Sequence, residues 1–310
     1  MCMTWKLALA PSQEGRVAIV TGANIGLGFE TALALAGKGC TVVLACRRAG
    51  KAEAAKAGIV AQHPGAKVEC MLLDLGSLKS VRGFAAAFAK RHQRLDLLIN
   101  NAGIMMPPFS LSEDGFESQL AANYLGHFAL TGLLLPLIVN TPNARVVSLS
   151  SLAHKWTGIH FDDINFKGGY REREAYGQSK LACLMFAYEL QRRLGKAGQS
   201  TLSVAAHPGV SSTNLFQHLP KAAQWFTPLM ALAFQSAKGG ALPTLYAALG
   251  NDIEGGDYCG PRSMGEMRGA PVKVGSNRRS RNQADAARLW SVSEEMTGVR
   301  FLSQPPTCPE

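Results

Sequence analysis

From residue 16 to about residue 206, short runs of Val, Ile and Leu alternate with stretches of helical periodicity, and this alternation limits the chain to few folds. It predicts strands at 16–21, 41–45, 67–73, 95–99, 145–149 and 202–206. The intervening helices are expected near 26–37, 50–62, 77–91, 113–136 and 173–195. Strands at this spacing, each followed by a helix, call for right-handed crossovers onto a parallel sheet. The strands are continuous apolar runs, as expected where helices cover both faces of the sheet. An α/β, doubly wound parallel sheet is therefore expected, and an all-β sandwich or a plain helix bundle fits badly. A length of 310 residues suits a single large domain, read here as 15–300 between an N-terminal extension (1–14) and a tail (301–310). Segment 210–300 is less regular. An apolar helix near 228–248 and a last strand near 257–260 are expected there, packing on one side as a small cap.

Composition narrows the class. The chain is 47% hydrophobic with 32 Gly and no glycine period, which excludes disorder and collagen. The longest apolar stretch read as a span candidate, 222–237, contains two Gln and a Pro, so no transmembrane segment is expected. The start lacks the charge and apolar length of a signal peptide. Seven cysteines without a Cys-x-x-Cys spacing point to free thiols in a reducing, cytoplasmic setting and to no metal site. Part of the net charge of +10 falls around Arg278, Arg279 and Arg281. No aromatic residues interleave with them, so a solvated basic face is favoured over nucleic-acid binding.

The first strand runs into Thr21-Gly22-Ala23-Asn24-Ile25-Gly26-Leu27-Gly28, and a helix opens at once. Gly22 suits a turn that a Cβ resists, Gly26 admits a pyrophosphate to the backbone, and Gly28 lets helix and strand pack closely. Asn24, Ile25 and Leu27 complete the loop, and the helix N-terminus directs free N–H groups at a bound phosphate. A tight turn without a ligand is the competing reading; the position between strand and helix favours the phosphate loop.

The T-G-x-x-x-G-x-G spacing resembles that of the short-chain dehydrogenase/reductase family. Further marks of that family follow in order: Asp74, Asn100-Asn101-Ala102-Gly103, Asn123, Ser150-Ser151, Tyr176-x-x-x-Lys180 and Pro208-Gly209. Within it the chain looks most like the retinol-dehydrogenase-like and related bacterial oxidoreductases, through Ala45-Cys46-Arg47-Arg48 and Ser150-Ser151-Leu152-Ala153-His154. The resemblance implies a Rossmann fold and a nicotinamide cofactor. By the same resemblance, Asp74 with Leu75 meets the adenine, and Asn100, Ala102 and Gly103 line the cofactor. Pro208 and Gly209 meet its carboxamide end, and Thr213 reaches the carboxamide or the pyrophosphate.

The end of the second strand faces the adenine ribose in such folds. An acidic residue there accepts from the 2′-hydroxyl of NAD, whereas positive charge suits the 2′-phosphate of NADP. Arg47 and Arg48 stand at that place, so NADP(H) is expected, with Arg47 the better placed of the two.

Tyr176 and Lys180, four apart in a helical stretch, share one face. A carbonyl accepting hydride develops negative charge on oxygen and needs a proton donor and an electrophilic partner. Tyr176 would supply the proton, and Lys180 would favour the phenolate and hold the nicotinamide ribose, as the resemblance implies. Ser151 is read as the hydroxyl on the substrate oxygen, with Ser150 as the alternative. Asn123 is read as the holder of a proton-relay water. The gap between Ser151 and Tyr176 is longer than usual in the family and is read as an inserted surface loop whose His154, Trp156 and His160 lie outside the site. The aromatic and Met-rich stretch after Thr213 reads equally as a lipophilic substrate mouth or as packing, including contact in a homo-oligomer. The expected activity is NADP(H)-dependent interconversion of a small-molecule carbonyl and its alcohol. A catalytically idle NADP-binding redox sensor or scaffold is the alternative.

Overall fold

The computed structural model describes residues 5–210 and 235–302. Its first half is a strict alternation: β1 (Val17–Thr21), α1 (Gly26–Gly37), β2 (Thr41–Cys46), α2 (Ala49–Gln62), β3 (Val68–Leu72), α3 (Leu78–Arg91) and β4 (Leu97–Asn100). Helix α4 (Ser118–Val139), with a π turn at Ala121–Leu125, leads to β5 (Arg145–Leu149). Then come α5 (Glu172–Lys196), β6 (Leu202–Ala206), α6 (Ala237–Leu249), β7 (Tyr258–Ser263), β8 (Arg268–Lys273) and α7 (Gln283–Thr297).

The eight strands form one sheet in the order β3-β2-β1-β4-β5-β6-β7-β8. All neighbours are parallel except β7 and β8. The chain leaves β1 toward β2 and β3, then returns to lay β4 on the other side. The order reverses between β1 and β4, and a crevice opens there at their C-terminal ends.

Both faces of the central strands are buried, which explains their apolar runs. In β1, Val17 and Ile19 join one core with α3, α4, α5 and α7. Ala18 and Val20 join the other, with α1, α2 and α6. Phe128, Phe186, Trp290 and Phe301 meet in one aromatic cluster, with ring centroids of Trp290 and Phe301 4.6 Å apart. Burial of this kind contributes about 2 kcal/mol or more per large side chain.

The expected cap over 210–300 falls partly outside the described residues. Its described part belongs to the sheet and its layers: β7 pairs with β6, β8 adds an antiparallel edge, α6 packs on α1, and α7 packs on α5. The helix expected from residue 113 begins at 118, where the buried Glu117 carboxylate caps the N–H groups of Gln119 and Leu120. Helix α4 is, by length and composition, apolar enough to cross a membrane (mean hydropathy 1.5), a feature the sequence reading passed over; in this fold two thirds of it is buried against the sheet and its neighbours.

Candidate active site

The crevice at the switch point holds a cleft of about 300 Å³ lined by the glycine turn, Arg47, Asp74, Leu75, Ala102 and Gly103. Gly22 and Gly26 take φ of +65° and +61°, in the left-handed region. A Cβ on Gly28 would stand 2.5 Å from the Gly22 carbonyl oxygen and 2.5 Å from Asn101 Nδ2, so this close approach requires glycine. Ile25 precedes α1 in extended conformation and, among the described residues, no side chain caps the helix, which leaves its first N–H groups to an anionic ligand. These residues fit the pyrophosphate of a dinucleotide. Asn24, Ile25 and Leu27 line the same cleft, as expected.

The two arginines separate. Arg47 lines the cleft at the end of β2, whereas Arg48 occupies the N-cap position of α2 outside it. Asp74 accepts the Gly76 N–H at 2.9 Å, and Ser77, not Asp74, caps α3. Asn100 does not reach the cleft. As the last residue of β4 it is buried, and its Nδ2 donates to Thr131 Oγ1 at 3.0 Å. The adjacent Asn101, which sequence reasoning passed over, lines the cleft and donates from Nδ2 to the Thr21 carbonyl at 2.7 Å. Strand parity was the available signal, because Asn100 belongs to the ladder and Asn101 starts the loop.

A second cleft, also about 300 Å³, continues from the first and shares Leu27, Asn101, Gly103 and Ile104 with it. Ser151, Tyr176, Lys180, Pro208 and Gly209 meet there. Lys180 is buried, its Nζ donates to the Leu149 carbonyl at 3.2 Å and stands 5.9 Å from the centre of the Tyr176 ring. A Cβ on Gly103 would lie 3.1 Å from Asn123 Oδ1 and 3.3 Å from Lys180 Nζ, so these two side chains converge on one point of the cleft wall.

Both serines line this cleft, and they differ in their hydrogen bonding. Ser150 is buried and its hydroxyl donates to the Lys180 carbonyl at 2.7 Å. Ser151 Oγ accepts the Ala153 N–H at 3.2 Å, which leaves its own proton for a ligand oxygen. Asn123 sits in the π turn. Its side chain clamps the backbone of Ile104, accepting from N–H at 2.8 Å and donating to C=O at 3.0 Å, and also donates to Ser179. Thr213 and the apolar stretch after it lie outside the described residues.

The segment between Ser151 and Tyr176 is not a loose surface loop. Gln178 of α5 is buried, accepts from the His160 N–H and donates to the Ile164 carbonyl, tying the segment to the helix. His154 is fully buried and its Nδ1 donates to the Ser151 carbonyl at 2.7 Å. Trp156, expected outside the site, lines the second cleft with its ring 6.1 Å from that of Tyr176 and the Arg173 guanidinium 4.5 Å above it. Behind the Pro208-Gly209 corner, His207 Nε2 donates to Glu266 at 3.0 Å while its Nδ1 accepts the Gly209 N–H. That hydrogen bond holds the Glu266 carboxyl below its usual range.

Burial pushes His127 down to about 4, and it lowers His154 as well. An unfolded imidazole takes up a proton near pH ~6.5, whereas the folded His127 resists protonation until about pH 4. The stabilisation from this histidine is therefore complete above the unfolded value and is lost as pH falls between the two. Thermal melts should show Tm falling through that window by an amount equivalent to a few kcal/mol, with a shallower slope in His127→Gln. An unchanged slope would remove His127 as the cause.

The short chain dehydrogenase family matches residues 16–224. Human retinol dehydrogenase 13 is 40% identical over 295 residues, covering 93% of this chain and 86% of its own. The chloroplastic short-chain dehydrogenase TIC 32 B of Brassica napus is 42% identical over 246 residues, covering 77% of each. Among solved structures, an uncharacterized protein from Mycobacterium paratuberculosis superposes with TM-score 0.79 at 42% identity, over 96% of this chain and 99% of that one. The NADP complex of Pseudomonas aeruginosa RhlG shares the fold, with TM-score 0.63 at 23% identity over 80% of this chain and 94% of its own. With the glycine turn on a dinucleotide crevice and the tyrosine–lysine pair beside it, the chain belongs to the short-chain dehydrogenase family of nicotinamide-dependent oxidoreductases.

Proposed function

We propose that the protein is an NADP(H)-dependent carbonyl reductase or alcohol dehydrogenase for lipophilic aldehydes, ketones and their alcohols. The observation that carries this reading is the meeting of Ser151, Tyr176 and Lys180 in a cleft continuous with the dinucleotide crevice. When bound, the reduced nicotinamide supplies the hydride. The glycine turn and the α1 N-terminus would hold the pyrophosphate, Arg47 the 2′-phosphate, and Lys180 the nicotinamide ribose. Ser151 donates a hydrogen bond to the substrate carbonyl oxygen, and Tyr176 gives that oxygen its proton as charge develops. In the oxidative direction the Tyr176 oxygen receives the alcohol proton. Lys180, buried with its ammonium 5.9 Å from the centre of the Tyr176 ring, would hold the ribose and keep a positive charge beside the reacting group.

A lipophilic substrate is supported by the lining. Lys180 is the one charged side chain among the described residues of the second cleft, and Ile104, Met105, Leu152, Trp156 and Val210 supply apolar wall. The retinol dehydrogenases, by name, act on an alcohol of this character. Trp156→Ala should raise KM for an aromatic or polyenyl aldehyde about 5-fold while NADPH affinity holds. Equal KM values in the two proteins would take Trp156 off the substrate wall. The reading as a whole is tested by following NADPH consumption against retinal, medium-chain aldehydes, aromatic ketones and quinones. Consumption of none of them would favour an idle cofactor-binding protein.

A further inference from the structure

Helix α4 buries a histidine that the proposed chemistry does not use. His127 is 4% exposed, and both of its ring nitrogens are committed. Nδ1 lies 2.9 Å from the main-chain oxygen of Asn123 in the π turn. A carbonyl only accepts, so Nδ1 carries the proton. In the neutral ring Nε2 is then a bare lone pair, and it lies 2.9 Å from Thr21 Oγ1. Thr21 Oγ1 already accepts the N–H groups of Asn101 and Ala102, each at 2.9 Å. Its single proton goes to the Nε2 lone pair; the other acceptor in reach, the Ile99 carbonyl, is farther away at 3.3 Å.

The two ends of this bridge are parts of the site. Thr21 ends β1 beside the glycine turn, and the N–H groups it receives belong to Asn101 and Ala102, which wall the dinucleotide cleft. At the other end, Asn123 braces Ile104 and converges with Lys180. A second donor, Cys183 Sγ of α5, reaches the same Asn123 carbonyl at 3.2 Å, so the carbonyl is held from two elements. Among the described residues, Lys180, whose charge opposes protonation of the ring, and Cys183, on the same Asn123 carbonyl, face it from α5.

We propose that His127, as the neutral Nδ1–H tautomer, is a positioning residue that couples the wall of the cofactor cleft to the π turn behind Lys180. The proposal rests on the reading of the site as an NADP(H)-dependent reductase. It separates into two arms that isosteric substitutions address one at a time. His127→Asn keeps an amide N–H near Nδ1 for the Asn123 carbonyl and loses the Thr21 arm. His127→Gln places an amide oxygen near Nε2 for the Thr21 hydroxyl and loses the Asn123 arm.

The experiment measures NADPH Kd by fluorescence titration and kcat at saturation for both variants in the full chain. His127→Asn should weaken NADPH binding about 10-fold with kcat within about 2-fold of the parent, and His127→Gln should do the reverse. Equal changes of both constants in both variants, or a loss of Tm without a split, would overturn the coupling. A turnover-free arm uses ¹⁵N-histidine labelling of the parent protein, which has seven histidines, and of His127→Gln. Long-range ¹H–¹⁵N spectra should show the Nδ1–H tautomer at His154 and at a second ring, the latter fixed from about pH 5.5 to 8 and absent in His127→Gln. An Nε2–H tautomer at His127 would overturn the proposal. Because Kd and the tautomer need no turnover, absence of carbonyl reduction would strike the reductase reading and leave these two readouts to judge the bridge.

Discussion

Replacing Tyr176 by Phe should lower kcat for carbonyl reduction by about 10³-fold while NADPH Kd stays within about 2-fold. The ring remains to fill its place beside Trp156 and under the Lys180 ammonium, so packing is kept. Only the hydroxyl is removed, and with it the proton that the developing alkoxide takes. Ser151 and the electrostatics of Lys180 persist, which is why some turnover should survive. Stopped-flow NADPH oxidation under single-turnover conditions isolates this step from product release. A kcat within about 10-fold of the parent would assign the proton to another group.

The second large effect concerns cofactor choice. Arg47→Ala should cut the preference for NADPH over NADH by about 100-fold, almost entirely through the KM for NADPH. Arg48→Ala should leave it within about 3-fold, because Arg48 begins α2 away from the cleft that Arg47 lines. The sequence presents the two arginines as near equivalents; the turn of the chain from β2 into α2 distinguishes them. Steady-state kinetics with both cofactors decide the matter. An unaltered ratio in Arg47→Ala would mean that the 2′-phosphate is read elsewhere.

The parts of the molecule legible from the sequence are those where local pattern and global fold agree. Strands β1, β2 and β4 lie between two cores and are rich in Val, Ile and Leu, and the more mixed β3, β5 and β6 keep enough apolar residues to stand out between helices. The glycine turn was legible for the same reason, since strand, turn and helix are contiguous. Strand β8 was not legible. Its sequence, Arg268-Gly-Ala-Pro-Val-Lys, contains both Gly and Pro, and Pro271 is tolerated because β8 is an edge strand. Helix α7 was also missed, although Asn282 caps it with bonds to the N–H groups of Ala284 and Asp285.

In the site, most residues read from contiguous motifs line the clefts, and the differences arose where long-range contacts decide. Asn100 points to Thr131, and only the position of α4 against β4 reveals that. Trp156 enters the cleft because Gly177 lets the preceding loop pack on α5; a Cβ there would sit 3.3 Å from Trp156 Cβ. His154 reads as a solvated loop residue in sequence, yet it is fully buried beneath Ser151. His127 gives no motif at all. Its meaning lies in two hydrogen bonds to residues 106 and four positions away along the chain.

In the proposed reaction Tyr176, Lys180 and Ser151 hold a carbonyl carbon against the reactive face of a bound nicotinamide. The most direct test of this arrangement is a turnover with NADPH deuterated at C4, run separately with each face labelled, and mass analysis of the alcohol formed. One labelled face should deliver deuterium to the carbinol carbon and the other should not. Alcohol formed without deuterium from either face, or no alcohol from any lipophilic carbonyl offered, would contradict it.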